Sequence, residues 1–496
     1  MNTKFLLSAV AALAMSSSTG FAVSVIVAPN TGIVGTPITN TIDDAIAQVN
    51  NGADTSNTIV LLSTEGPHVV PAYDTWSFNV DKSVEFLAAT GQPIIRLSAD
   101  GSAQHYMLTI GAGANANNQT ETVTFTNIAI IPPTGLNYVN NQNDGISATA
   151  GNFVFNNCVL SNNNGSDGVA SQEGAVPFVD SPAGNNVGDD WFQMNGANNV
   201  TFSHCTITGA ADDAIITLGA ITPAVSTVRL DKGTCMSNNG GAGIQVAGTQ
   251  AAVVCDGSAG RVLIANNGFR TGGGFDRGIK YFASTSCSLT MTKTDVVGQS
   301  SAGIIDYNGI DFFDISDCRI ADNNTSGDIG GANLSIVAVG NGGIVQPINM
   351  TRVTVHNAYP GSSAAPQDSL LAQENAGDPA QAYTITDSII SGADDVFDNM
   401  TNSIASAGPS PAPVLSHTAV VTAGPDAIAN PGDLSGASVS ADPAYMSETY
   451  TIGRSQENGA FLQPTSPTYA TASSTAGPLR GGAPAPIAAV ADWSFY

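Results

Sequence analysis

The sequence predicts an all-β fold, a right-handed parallel β-helix (solenoid) with a short N-terminal capping helix. Two observations predict it. A template of apolar, x, apolar, x, polar turn residue, small residue, x, apolar recurs nine times between Val123 and Ile390. After a loop of variable length, most copies add a third apolar segment, often opened by Gly or Asp. Alternation with period two, broken by one polar residue, describes two short strands meeting at a bend. Three strands per turn, repeated at unequal intervals, describe coils that share one core while their loops vary on one side.

Along the chain, Lys4, the apolar run Phe5 to Met15 and the small-residue site Gly20-Phe21-Ala22 predict a signal peptide over 1–22. Residues 23–400 are assigned to the solenoid. An open solenoid end needs a cap, and Ile42, Ala45, Ile46 and Val49 share one helical face behind Asp43 and Asp44 in the first turn. Ile59 to Leu62, Val84 to Leu87 and Ile94 to Leu97 read as the first coils.

The nine copies then begin at Val123, Phe153, Val200, Val228, Val262, Leu289, Phe313, Ile348 and Tyr383. Their turn residues are Asn127, Asn157, His204, Lys232, Asn266, Lys293, Asp317, Arg352 and Asp387. Third strands are read at Asp144-Gly145-Ile146, Asp167-Gly168-Val169, Asp213-Ala214-Ile215, Gly243-Ile244-Gln245-Val246, Gly278-Ile279-Lys280-Tyr281 and Gly303-Ile304. Nine coils stacked at about 4.8 Å make a rod of roughly 43 Å. Residues 401–496 fray into Pro, Ala and Ser and read as a C-terminal cap and tail.

Composition narrows the partners. Charged residues are 11% of the chain and the net charge is −26, so the surface repels nucleic acid and anionic membranes. No apolar run is long enough to span a bilayer. The expected setting is secreted, extracellular or cell-surface. Cys158, Cys205, Cys235, Cys255, Cys287 and Cys318 form no CxxC pair and have no His at metal-ligand spacing, which argues against zinc. They read as buried fillers, with disulfides between neighbouring coils as the second option. Asp311, Asp314 and Asp317 are spaced such that calcium stays open.

The capping helix, the Asn-Cys-x-apolar coils and the closing segment Asp442-Pro443 with Phe461 to Pro467 resemble the pectin-lyase-like superfamily of right-handed β-helices. The resemblance covers most of the chain and implies that chemistry lies in the groove beside the third strands. Within it, Asp189-Asp190 followed by Asp212-Asp213 resembles the carboxylates of polygalacturonases. That implies Asp190, Asp212 and Asp213 as acid and base residues of an inverting glycosidase, one protonating the leaving oxygen while another activates water. Gly241-Ala242-Gly243 stands where that family has Gly-His-Gly, and Arg277-Gly278-Ile279-Lys280 where it has Arg-Ile-Lys. A similar turn, Gly392 to Val396, repeats the Asp pair, so turn capping by Asp is the other reading.

Arg229, Lys232, Arg261, Arg270, Arg277, Lys280 and Lys293 gather half of the chain's 14 basic residues. Such a band suits an anionic glycan. Lys280 points outward between Ile279 and Tyr281; in a pectate-lyase-like reading Lys280 or Arg277 is the proton-abstracting base, with Ca2+ on nearby Asp residues. Arg277, Gln245 and Arg270 complete the expected substrate contacts. No other cofactor is called for. Two functions follow: a secreted β-helix protein that binds and cleaves an acidic polysaccharide, as hydrolase or lyase, or a non-catalytic surface, adhesin or structural layer protein.

Overall fold

The computed structural model describes residues 23–28, 38–63, 67–79, 81–98, 106–112, 121–132, 144–161, 190–196, 199–218, 225–247, 251–268, 277–282, 287–306, 312–323, 325, 332–337, 348–356, 368–373, 383–391, 397–399, 414–416, 418–421, 452 and 462. Residues 1–22, expected from the sequence to be a signal peptide, and most of 401–496 lie outside them. The described strands form three sheets of 14, 12 and 11 strands, here called A, B and C, and every pairing is parallel between successive coils. This is the predicted parallel β-helix: each coil lays one strand in A, bends into B, and loops to C.

Sheet A strands follow the template's first half, as in Asn152–Asn156, Asn199–Ser203 and Ser226–Asp231. Their inward residues fall into columns. Phe86, Phe125, Phe155 and Phe202 stack with ring centroids 4.8, 5.0 and 4.7 Å apart and ring planes within 10° of parallel. Between A and B most of these coils turn through a left-handed residue. Asn127, Asn157, His204, Lys232, Lys293, Asp317, Arg352 and Asp387 hold φ between 45° and 58° there. Asn and Asp tolerate this region best among residues with a Cβ, which is why the turn position reads polar.

Two copies sit differently from the sequence reading. The coil assigned to Val262 has its sheet A strand earlier, at Ala251–Asp256, while Val262–Ala265 lies in sheet B, separated by a 3-10 turn at Gly257–Ala259. Asn266 therefore occupies the second bend, with Asn238, Asp322, Gly209 and Gly298, all at positive φ. In the Val228 coil an extra turn residue moves Cys235 outward, since Ile207 pairs with Met236 and Thr234 Oγ1 receives Cys205 N at 3.2 Å. The third strand of the Phe153 coil is Phe192–Met194; Asp167-Gly168-Val169 lies outside the described residues.

Just past the second bend, a buried amide ladder crosses the coils. Asn239 Oδ1 accepts from Ala210 N, Asn267 Oδ1 from Asn239 N, Gln299 Oε1 from Asn267 N and Asn323 Oδ1 from Gln299 N, at 2.9 to 3.2 Å. A second ladder uses thiols and hydroxyls. Cys205 Sγ accepts from Cys158 N, Cys318 Sγ from Thr294 N and Ser388 Oγ from Val353 N, at 3.4, 3.4 and 3.0 Å. All six cysteines are free and buried. Burial pushes the Cys205 thiol well above its usual range and the Cys255 thiol beyond it as well. These thiols act as small hydrogen-bonding fillers, the first of the two options.

The capping helix is Ile42–Asn51, with Ile42, Ala45, Ile46 and Val49 buried against the first coils. Thr41 caps it, its Oγ1 accepting from Asp44 N at 3.1 Å. At the other end the sheets continue through Val414–Ser416 in A and Ala419–Val421 in B.

Candidate functional site

Sheet C carries the face on which the sequence places the site. In its strands Ile215–Thr217, Ile244–Val246 and Ile279–Tyr281, the first and third residues are buried in the core. The middle residues Ile216, Gln245 and Lys280 face outward in one register. One residue past each strand, Leu218, Ala247 and Phe282 form a parallel row, each N–H bonded to the preceding coil at 2.8 to 3.0 Å. Phe282 is 52% exposed and Leu218 39%. Lys280 Nζ stands 5.8 Å from the Phe282 ring centroid, a cation–π distance. Farther along the sheet, Asn195 Nδ2 donates to Tyr106 Oη at 2.7 Å, Ser147 Oγ at 3.1 Å and Gln193 Oε1 at 2.7 Å. The result is a strip of apolar side chains interleaved with amides and one ammonium.

The candidate carboxylates lie at the turn that enters sheet C. Asp144, Asp190 and Asp213 share the inward parity of the following Ile146, Phe192 and Ile215, and are 5, 4 and 3% exposed. Each takes a backbone N–H of the next coil: Asp144 Oδ1 from Asp190 N at 3.4 Å, Asp190 Oδ1 from Asp213 N at 2.9 Å, Asp213 Oδ1 from Ala242 N at 2.6 Å. Asp212, half-buried, lends its carbonyl to Gly241 N at 2.7 Å. Gly241 is needed here, because a Cβ would stand 2.6 Å from the Asp212 carbonyl carbon and 2.7 Å from Asp213 Oδ1. Ala242, where the resemblance puts histidine, is fully buried.

The coil stacking thus brings Asp190, Asp213 and Arg277 into one column, for Arg277 follows Ala242 in register and its carbonyl accepts Gly243 N at 3.1 Å. Lys280 and Gln245 stand on the neighbouring outward column. Arg270, Asp189 and the second Asp pair, Asp394-Asp395, lie outside the described residues. An inverting pair needs its carboxyl groups about 6.5–9.5 Å apart across open space, whereas Asp190 and Asp213 occupy successive coils, about 4.8 Å of rise, in a solvent-excluding turn.

Among the described residues no group of three or more His, Cys, Asp or Glu gathers to hold a metal ion. Asp317, one of the calcium candidates, receives Arg352 Nε at 2.6 Å and Nη2 at 2.8 Å; Asp311 lies outside the described residues. His204 serves the first bend, its Nδ1 3.1 Å from Lys232 O. Lys232, Lys293 and Arg352 likewise hold bend positions. Arg229 pairs with Asp231 and Asp256 at 3.2 and 2.5 Å.

Sequence reading missed Phe282 and Leu218, whose exposed apolar side chains just after each third strand were the available signal. It also missed a buried triad on sheet B, Arg261–Asp295–Arg319. Arg261 Nη2 bonds Asp295 Oδ1 and Arg319 Nη2 bonds Asp295 Oδ2, both at 2.5 Å. Burial pushes the Asp295 carboxyl up, but the two guanidinium groups outweigh it and hold the carboxyl below its usual range. One of the basic band's members, Arg261, is thereby committed to structure.

The chain matches no family model and no curated protein. Among solved structures it is similar to the pectate lyase Pel9A, at 13% identity over 91% of each chain, with a TM-score of 0.33. No site residue is transferred from that similarity, and the parallel β-helix rests on the strand order itself. Among the described residues no helix is long and apolar enough to cross a membrane.

Proposed function

We propose that this protein is an extracellular β-helix that binds an acidic polysaccharide along the outer face of sheet C. The observation that carries the reading is the pairing of exposed Phe282 with the Lys280 ammonium beside Gln245. A phenyl face accepts the C–H face of a sugar ring, an ammonium neutralises a uronate or sulfate, and an amide fixes hydroxyls. On a chain of net charge −26, a local cation is the feature that admits an anionic ligand to one face.

Binding is favoured over cleavage because Asp190 and Asp213 are 4 and 3% exposed and cap backbone N–H groups. The second reading, a non-catalytic surface or layer protein, draws on the same burial and on the length of the acidic coil stack.

The test is a panel of pectic, alginate-like and sulfated glycans titrated against wild type, Phe282→Ala, Lys280→Ala and Asp213→Asn. Phe282→Ala and Lys280→Ala are each expected to weaken binding about fivefold, since each contact is worth on the order of 1 kcal/mol. Asp213→Asn is expected to leave binding intact. Turnover by wild type that Asp213→Asn abolishes would restore the hydrolase reading. No affinity for any glycan would leave the layer protein standing.

A further inference from the structure

The outward column of sheet C is open over only part of its length. Ser147, Gln193 and Ile216 on that column are 0, 6 and 8% exposed, whereas Gln245 and Lys280 on the next two coils are half-buried. Three successive coils thus present different pairs on the two rows of the face. Ile216 with Leu218 is apolar, Gln245 with Ala247 sets an amide beside a methyl, and Lys280 with Phe282 sets an ammonium beside a phenyl ring. Ile305 follows in register with Lys280 on the coil after them. Among the described residues Lys280 is the one cation on this column, and the Gln245 side chain makes no hydrogen bond.

We infer, resting on the glycan-binding reading above, that Gln245 is a specificity residue of this face: it makes the coil beside Lys280 a subsite for an uncharged sugar. The ligand is then a glycan in which a neutral residue adjoins the acidic one, and a continuous polyuronate fits poorly. A sugar ring takes up on the order of 5 Å along its chain, close to the roughly 4.8 Å between coils, so neighbouring sugars meet neighbouring coils. An acid group over Lys280 is neutralised there. A second acid group over Gln245 meets an amide and a methyl with no cation beside them, and one over Ile216 and Leu218 loses hydration against apolar side chains without compensation. The net charge of −26 adds repulsion for every further carboxylate. The Gln245 amide both donates and accepts, which suits the hydroxyl and carbonyl groups of an uncharged sugar.

Polygalacturonate and polymannuronate, each with its carboxylates neutralised stepwise as methyl esters, are titrated against the full-length protein at fixed salt. Wild type is expected to bind a sparsely charged form best, on the order of fivefold tighter than the fully charged or fully esterified form. Gln245→Lys is expected to move that optimum to the fully charged polymer and Lys280→Gln to the fully esterified one, both with an unchanged far-UV spectrum. Affinity that climbs steadily with charge density in wild type, or an optimum that folded Gln245→Lys leaves in place, would overturn the inference while the binding reading stands on its loss in Phe282→Ala. Absence of binding to every form of both backbones would overturn the two together.

Discussion

At the scale of single residues, ionisable groups show how the fold sets their chemistry. Asp43, in the first turn of the capping helix, faces Asp74, whose carboxylate already accepts Thr75 N and Trp76 Nε1, each at 2.8 Å. Burial, then the charge of Asp74, raises the Asp43 carboxyl to about 6. A carboxyl with a folded pKa above its unfolded value of 3.8 favours the folded state most when protonated. That contribution is complete below the unfolded value and is lost as pH rises through about 6. Asp43→Asn is therefore expected to raise the melting temperature at pH 7 to 8, with the gain over wild type vanishing toward pH 4; a pH series of thermal melts checks it. Asp43 itself was legible as a first-turn residue of a helix, but its partner sits on Asp74–Phe78, a strand that only the fold brings near.

At the scale of elements, the turn entering sheet C depends on a carboxylate column. Removing the Asp213 side chain leaves Ala242 N without that acceptor in a buried turn, a loss of about 1–3 kcal/mol. Asp213→Asn retains a carbonyl oxygen in the same place. Urea unfolding is expected to rank wild type and Asp213→Asn close together with Asp213→Ala clearly below; equal loss in both variants would mean the negative charge, and not the acceptor, is what the turn needs. The sequence reading held both a turn role and a catalytic role for this residue, because Asp-Asp before an apolar strand suits either. Burial and the N–H bond show the turn role; the catalytic role is what the glycan panel with Asp213→Asn tests.

At the scale of the whole molecule, each coil contacts its neighbours, so stability is spread along the rod. The buried triad on sheet B joins three of those coils through one carboxylate. Deleting one member of such a network strands the others, at a cost of about 3–5 kcal/mol. Asp295→Ala is expected to lose that amount at pH 7 by denaturant unfolding. Because the folded Asp295 carboxyl is held below its unfolded value, its contribution is present above the unfolded pKa, roughly 3.9, and is lost as pH falls through the lower folded one. The gap between variant and wild type should therefore close in acid.

The sequence by itself determined the coil: period-two alternation, a polar residue at each αL bend and an amphipathic cap together specify a stacked parallel β-helix, because each is a local rule read along one strand or one turn. Register slipped where a local insertion broke the template, at Lys232-Gly233-Thr234 and at the Gly257–Ala259 turn. Only the tertiary structure decided which residues from separate coils share a surface. Phe282 meets Lys280 in the open, Asp190 and Asp213 are sealed into a turn, and Leu462 joins the buried cluster on the outer face of sheet B. The physical reason is that burial belongs to the stack: a side chain's exposure depends on loops and segments far along the chain, which no local pattern encodes.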